Sequence, residues 1–236
     1  MSDRDPPLRA LILQHEEPTP AGLILEWLGE RGIEIEHCRV DLDERIAVGD
    51  QDLVVSLGSE FAAFDDHIPW IPSEAGFLAD ALHHDVPVLG VCFGAQLMTR
   101  VLGGRCYRTE ESEIGWLPVR TTDPDLIPGG PWFQWHFDSF ELPPGATLIA
   151  ESPVGPQAFL VKRSLGVQFH PEVTPQIMDE WVRAYRHELD AEGVDPDGLL
   201  RETQEQAAPN RKRAWRLLDT WLARVAGLGA VAGRAG

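Results

Sequence analysis

The chain has 236 residues, 43% hydrophobic and 25% charged, ordinary globular proportions that exclude a fibrous or wholly disordered protein. Its 20 Lys and Arg against 38 Asp and Glu leave a net charge of −18, a surface that repels nucleic-acid backbones and anionic lipid heads. No window approaches the roughly 18 uninterrupted apolar residues of a membrane span and the amino end, Met1 to Pro7, lacks a basic segment leading into an apolar run, so a cytoplasmic protein with neither nucleic-acid nor membrane partners is expected.

Arg9 to Leu13 is a short apolar run, and after Gln14-His15-Glu16-Glu17-Pro18 a helical pattern follows from Ala21 through Leu25, Trp27 and Leu28 to Gly32. Ile33 to Val40 gives a second extended segment. Asp52 to Leu57 gives a third, apolar on consecutive positions as in a strand covered on both faces. Ser73 is placed to cap a helix through Phe77, Leu78, Ala81 and Leu82. Val86 to Val91 is the next buried strand, and Ala95 to Leu102 the next helix, closed by Gly103-Gly104. This alternation predicts an α/β fold, a mostly parallel doubly wound sheet with helices on both faces. Beyond Arg105 the texture changes. Ile114 to Thr121, Thr147 to Ala150, Ala158 to Val161 and Leu165 to Phe169 read as short strands that extend the same sheet with a small antiparallel portion. Thr174 is placed to cap a helix that begins at Pro175 and keeps one apolar face to Leu189. A last amphipathic stretch carries Trp215, Leu218, Trp221, Leu222 and Val225 on one side, with Arg211, Lys212, Arg213 and Arg216 as a solvated face near its start. Gly227 to Gly236, glycine and alanine with little else, reads as a frayed tail.

Three cysteines, Cys38, Cys92 and Cys106, form no CxxC pair and no disulfide framework. Gly90-Val91-Cys92-Phe93-Gly94 lies where a buried strand meets a helix and is the thiol version of the G-x-S-x-G nucleophile elbow. Flanking glycines permit the sharp turn, and the helix N-terminus favours a thiolate. Cys38 and Cys106 lack that setting and read as core residues. A thiolate nucleophile needs a proton acceptor with an orienting partner. Of eight histidines, His83, His84 and His187 read as surface residues on helices, and His15, His37 and His67 have no distinctive context. Gly166-Val167-Gln168-Phe169-His170-Pro171-Glu172 differs: an apolar strand delivers His170 to its end, and Glu172 follows two positions on, able to hold the imidazole. A strand-end histidine is more often structural, so the pairing with the elbow carries the assignment. No metal is expected, because His170 and Glu172 lack a third ligand at a recognisable spacing, and no cofactor.

These two segments, in this order, resemble the class I glutamine amidotransferases of the Cys-His-Glu type, through Val88-Leu89-Gly90-Val91-Cys92-Phe93-Gly94-Ala95-Gln96 and through the His/Glu segment. Glu113-Ile114-Gly115-Trp116, Trp135-His136-Phe137-Asp138-Ser139-Phe140 and the carboxyl-terminal helices look closest to stand-alone members similar to the amidotransferase part of GMP synthase. The resemblance implies a domain over 1–190 and a helical extension over 191–236. It implies thiolate attack by Cys92 on the side-chain amide of glutamine or another γ-glutamyl amide, with ammonia protonated by His170 and the thioester then hydrolysed. It gives Gly58 and Phe93 as backbone oxyanion donors, and Gln96, with His136 and Asp138 in a loop, as substrate-binding residues. Relatives usually carry Gly-Gly-Pro where this chain reads Leu57-Gly58-Ser59, and loss of the first glycine could restrict the peptide flip that aims an N–H at the oxyanion. Neither a Walker-type loop nor a Ser-Gly-Gly-x-Asp-Ser loop is present, so any ammonia-accepting synthetase is expected to be a separate subunit. Two alternatives stay open: a hydrolase or transferase of other γ-glutamyl compounds, and a non-catalytic amidotransferase-like binding subunit.

Overall fold

The computed structural model describes residues 6–42, 46 and 49–229. Its strands are β1 (Arg9–Gln14), β2 (Glu34–Arg39), β3 (Leu53–Ser56), β4 (Val88–Val91), β5 (Cys106–Pro118), β6 (Arg120–Thr121), β7 (Pro131–Phe140), β8 (Thr147–Glu151), β9 (Pro156–Val161) and β10 (Ser164–Val167). Its helices are α1 (Gly22–Glu30), α2 (Trp70–His83), α3 (Phe93–Val101), α4 (Pro175–Ala184), α5 (Arg186–Glu192) and α6 (Pro196–Thr220), the last continuing into a π-helical turn, Trp221–Val225. Eight strands form one sheet in the order β2-β1-β3-β4-β10-β9-β8-β6. The first five run parallel, and β9, β8 and β6 add the antiparallel portion. β5 and β7 pair into a separate antiparallel ribbon.

The parallel strands are covered on both faces, which is why they read as unbroken apolar runs. Ile12, Val55, Leu89 and Val91 pack with α1, α6 and the π-helical turn through Trp27, Leu28, Leu217 and Trp221. The alternate residues Leu11, Leu13, Val54 and Val88 pack with α2 and α3 through Phe77, Leu78, Leu97 and Met98. The ribbon has its own core, where Trp116, Phe133 and Trp135 meet Ile177, Met178 and Trp181 of α4.

Several expected boundaries differ. α2 starts at Trp70, so Ser73 lies inside its first turn and no side chain caps it; Pro72 fits there because a first-turn residue needs no N–H partner. Thr174 does cap α4, its Oγ1 accepting from Ile177 N at 3.2 Å, but the helix breaks at Tyr185 and α5 follows. α6 begins at Pro196, far upstream of the basic cluster, with the Asp195 carboxylate accepting from the N–H groups of Asp197 and Gly198. In that cluster Arg211 bridges to Glu26 and stacks 3.8 Å from the Trp215 ring centroid, and Arg216 bridges to Asp125. The stretch 131–140 is a strand, not a loop, and β5 begins at Cys106 rather than near Ile114. Cys38 and Cys106 are half-buried at the edge of the core, not within it. Burial pushes the Cys106 thiol up to about 12, and its S–H donates to Gln96 O. Met1 to Asp5 and residues 230–236 of the expected frayed tail lie outside the described residues. Among the described residues no helix is long and apolar enough to cross a membrane.

Candidate active site

β4 ends at Val91 and α3 begins at Phe93, leaving Cys92 as the turn with φ 49° and ψ −105°. A non-glycine residue held there stores about 1 to 3 kcal/mol of strain, so the surroundings must fix it. They do: Cys92 N donates to Val167 O at 2.8 Å, and Cys92 O accepts from Gln96 N at 3.0 Å. The flanking glycines serve a different end from the one expected, since neither carries a positive φ. A Cβ on Gly94 would meet Ser56 O at 2.2 Å, and one on Gly90 would meet Met98 Sδ at 2.6 Å. They let α3 lie directly on β3 and β4, while the cysteine itself takes the strained conformation.

β10 lies beside β4 in parallel register, Val167 opposite Val91, so three further residues carry His170 to the same sheet edge as Cys92. His170 Nδ1 lies 2.7 Å from Glu172 Oε1, and both residues are buried. The ring sits edge-on to Trp181 at 4.9 Å, and His170 N donates to Phe133 O. Burial opposes the imidazolium, but Glu172 and the adjacent Cys92 sulfur outweigh it and push His170 up to about 10. The sulfur is close enough to act on the imidazole's charge and to pair with it, and among the described residues Nε2 has no other hydrogen-bond partner. The Glu172 segment is held from behind: its carbonyl accepts from Leu23 N at 2.9 Å, and Asn210 Nδ2 of α6 donates to Pro171 O and Val173 O.

Gly58 follows β3 and faces this pair: a Cβ there would stand 2.9 Å from His170 Cε1 and 3.7 Å from Cys92 Cβ. Leu57 O accepts from Gly94 N at 3.1 Å, and the Leu57 side chain is buried in the core. Among the described residues no acceptor pairs with the N–H of Gly58 or of Phe93. Both therefore remain able to donate near the sulfur. Ser59 donates through Oγ to Glu16 Oε1 at 2.5 Å and accepts from Phe61 N. Burial raises the Glu16 carboxyl against that hydrogen bond.

Sequence reasoning missed His15. It is fully buried, with Nδ1 2.9 Å from Gly58 O and Nε2 2.8 Å from Glu74 Oε2. Glu74 is also fully buried, and its Oε1 accepts from Ser56 Oγ at 2.7 Å. The available signal was position: His15 follows β1 at the carboxyl edge of a doubly wound sheet, where sites gather.

Gln96 is buried, its Nε2 donating to Gln168 Oε1 at 3.2 Å, and Gln168 Nε2 in turn reaches Cys92 Sγ at 3.4 Å. Gln168, also missed, thus joins Gln96 to the sulfur. His136 and Asp138 lie on β7 rather than in a loop. His136 lies 3.1 Å from Asp138 O through Nδ1 and 3.1 Å from Glu113 Oε2 through Nε2. Burial raises the Asp138 carboxyl, opposed by Arg108, whose Nη1 is 3.5 Å from Oδ1. Gln96, Arg108, His136 and Asp138 line an open cleft that reaches Cys92 and His170 beside Phe61, Trp135 and Tyr185.

The model of the class-I glutamine amidotransferases matches residues 22–184. A GMP synthase (glutamine-hydrolysing) from Burkholderia mallei is 30% identical over 171 residues, covering 65% of this chain and 30% of that protein. A namesake from Staphylococcus carnosus is 41% identical over 96 residues, 37% of this chain and 19% of its own length. The chain thus spans under a third of the curated relatives it matches. A crystallised glutamine amidotransferase from Thermotoga maritima superposes with a TM-score of 0.85 at 29% identity, covering 91% of this chain and 98% of that one. The chain belongs to the class-I glutamine amidotransferase family.

Proposed function

We propose that this chain hydrolyses the γ-amide of glutamine through a thioester on Cys92. The observation that carries the reading is the convergence of a strained elbow cysteine, a buried His170–Glu172 pair and two uncommitted N–H groups at one cleft. The raised imidazole already holds the thiol proton on His170 Nε2, so Sγ bonds to the amide carbon as the thiolate, and the carbonyl electrons move to an oxyanion facing the N–H groups of Gly58 and Phe93. The oxyanion collapses, the C–N bond breaks, and the amine leaves as ammonia with the proton held by His170. Water then gives its proton to His170 and its oxygen to the acyl carbon; the S–C bond breaks, glutamate departs, and the thiolate faces the reprotonated imidazole again. Gln96 and Gln168 steady the sulfur side of the cleft, and Asp138 with Arg108 offers paired charges to the glutamyl α-groups.

The ammonia passes to a separate synthetase, by analogy with the glutamine-hydrolysing synthases that the chain resembles over its matched part. Residues 1–190 carry the chemistry, α6 of the 191–236 extension braces it through Asn210, and a nucleophilic thiol suits a reducing cytoplasm. The rim of Phe61, Trp135 and Tyr185 favours a second reading, a γ-glutamyl amide whose leaving amine is larger than ammonia. The test is amine release from glutamine and from a panel of γ-glutamyl amides, with mass analysis of the adduct formed by a diazoketone analogue of glutamine. Turnover by wild type, its loss in Cys92→Ala and an adduct on Cys92 are expected. No turnover on any γ-glutamyl compound, with and without candidate synthetases, overturns the reading in favour of a binding subunit.

A further inference from the structure

We propose that His15 and Glu74 form a positioning pair that locks the oxyanion loop around Gly58. The inference rests on the hydrolytic reading above and assigns a task to a buried pair which that mechanism does not use.

A carbonyl oxygen only accepts hydrogen bonds, so His15 Nδ1, 2.9 Å from Gly58 O, must carry a proton. Nε2 is committed to Glu74 Oε2, and the other Glu74 oxygen to Ser56 Oγ. Neither ring nitrogen is left for proton transfer. His15 therefore holds the peptide between Gly58 and Ser59 by its carbonyl, as Gly94 N holds the preceding peptide through Leu57 O. With both peptides flanking Gly58 fixed, the direction of its N–H is fixed too, although glycine itself imposes little restraint. The same imidazole packs on Phe93, 4.7 Å between centroids, and stacks on Trp70 at 5.0 Å and 20°. One side chain thus touches both residues proposed as oxyanion donors. The next residue continues the brace, since Glu16 accepts from Ser59 Oγ. The β1–α1 loop grips the β3–α2 loop at two successive residues, Gly58 and Ser59. Burial disfavours a charged His15, but Glu74 outweighs it and raises the imidazole, which keeps the donor in place.

The test compares His15→Phe with His15→Asn, whose amide N–H can occupy the place of Nδ1–H. Losing one aligned oxyanion donor is expected to cost His15→Phe about 100-fold in kcat, with KM little changed. His15→Asn should recover most of that loss. Alkylation of Cys92 by iodoacetamide passes through no oxyanion, so its rate should match wild type in both variants. Wild-type kcat in His15→Phe, or an equal fall in turnover and alkylation, overturns the proposal while the hydrolytic reading stands. A second measurement needs no turnover: in histidine-¹⁵N-labelled protein, His15 should show a protected Nδ1–H with a coupling to the Gly58 carbonyl carbon. An unprotonated Nδ1 overturns the proposal directly. A wild type without activity on any γ-glutamyl amide removes the reading, and this proposal with it.

Discussion

Two buried histidine–carboxylate pairs flank Cys92, and they differ in one respect that decides their uses. His170–Glu172 is built from residues two apart at the end of β10, and His15–Glu74 from residues 59 apart on β1's outgoing loop and α2. In the first, Nδ1 is committed and Nε2 is left over beside the sulfur. In the second both nitrogens are committed, one of them to a backbone carbonyl. An imidazole can exchange protons with substrate only through an uncommitted nitrogen, and it can position its neighbours best when it has none. The same residue types, at nearly the same distance, thus suit chemistry in one place and scaffolding in the other.

Replacing each carboxylate by its amide breaks this comparison most sharply. In Glu172→Gln the amide N–H₂ can donate to His170 Nδ1, which moves the ring proton to Nε2 and removes the base; a loss of about 10⁴-fold in kcat is expected. In Glu74→Gln the Gly58 carbonyl still demands a proton on His15 Nδ1, and Nε2 can accept from the amide instead. The tautomer survives, and only a several-fold loss is expected. Equal losses in steady-state turnover would show that the two pairs do not divide the work as described.

A steric version comes next. Gly58→Ala would place a methyl 2.9 Å from His170 Cε1 and 3.7 Å from Cys92 Cβ. Displacement of the reactive ring by even part of an ångström should lower kcat by about 100-fold. The His15 Nδ1–H signal should persist, because its acceptor is backbone.

The sequence announced the first pair and hid the second for a physical reason. Cys92 stands out because close contact of α3 with β3 and β4 requires glycine at 90 and 94, and His170 and Glu172 are neighbours along one segment. His15 meets Glu74 only after the sheet and α2 have assembled, so no local pattern records it. β7 escaped similarly: Pro131–Phe140 is buried at nearly every position, so the alternation that marks a half-exposed strand is absent. The parallel core was legible because its strands and helices alternate with clear glycine and proline boundaries. Gln168 was overlooked although it sits inside the His/Glu segment, since only the folded register turns its amide toward Cys92 Sγ.

The charge of His170 gives a pH-dependent contrast. Its folded value, about 10, lies above the ordinary 6.5, so the stabilisation it contributes is fully present below pH 6.5 and is lost as pH rises toward 10. Cys92→Ala removes the sulfur's share of that shift. Chemical denaturation of wild type should therefore show a decline in stability between pH 6.5 and 10 that is shallower in Cys92→Ala. NMR titration of His170 should move to lower pH in the same variant. An unchanged His170 titration would mean that the sulfur does not act on it.

The smallest expected effect concerns what stands behind each pair. Asn210 of α6 is fully buried and donates to the carbonyls of Pro171 and Val173, on either side of Glu172. Asn210→Ala leaves both carbonyls without that donor, at a cost of about 1 to 3 kcal/mol in stability. It also loosens the Glu172 segment, whose remaining described backbone anchor is Leu23 N on α1. Turnover should fall several-fold through kcat, because Glu172 then holds the imidazole in a wider range of orientations. His15 and Glu74 are held by β3, α2 and the Gly58 carbonyl, none of which involves Asn210, so the protected His15 Nδ1–H should be unaffected. If the variant instead disturbs both pairs equally, α6 supports the whole sheet edge rather than the His170–Glu172 side, and the division between a reactive and a positioning pair would have to be redrawn around a common scaffold.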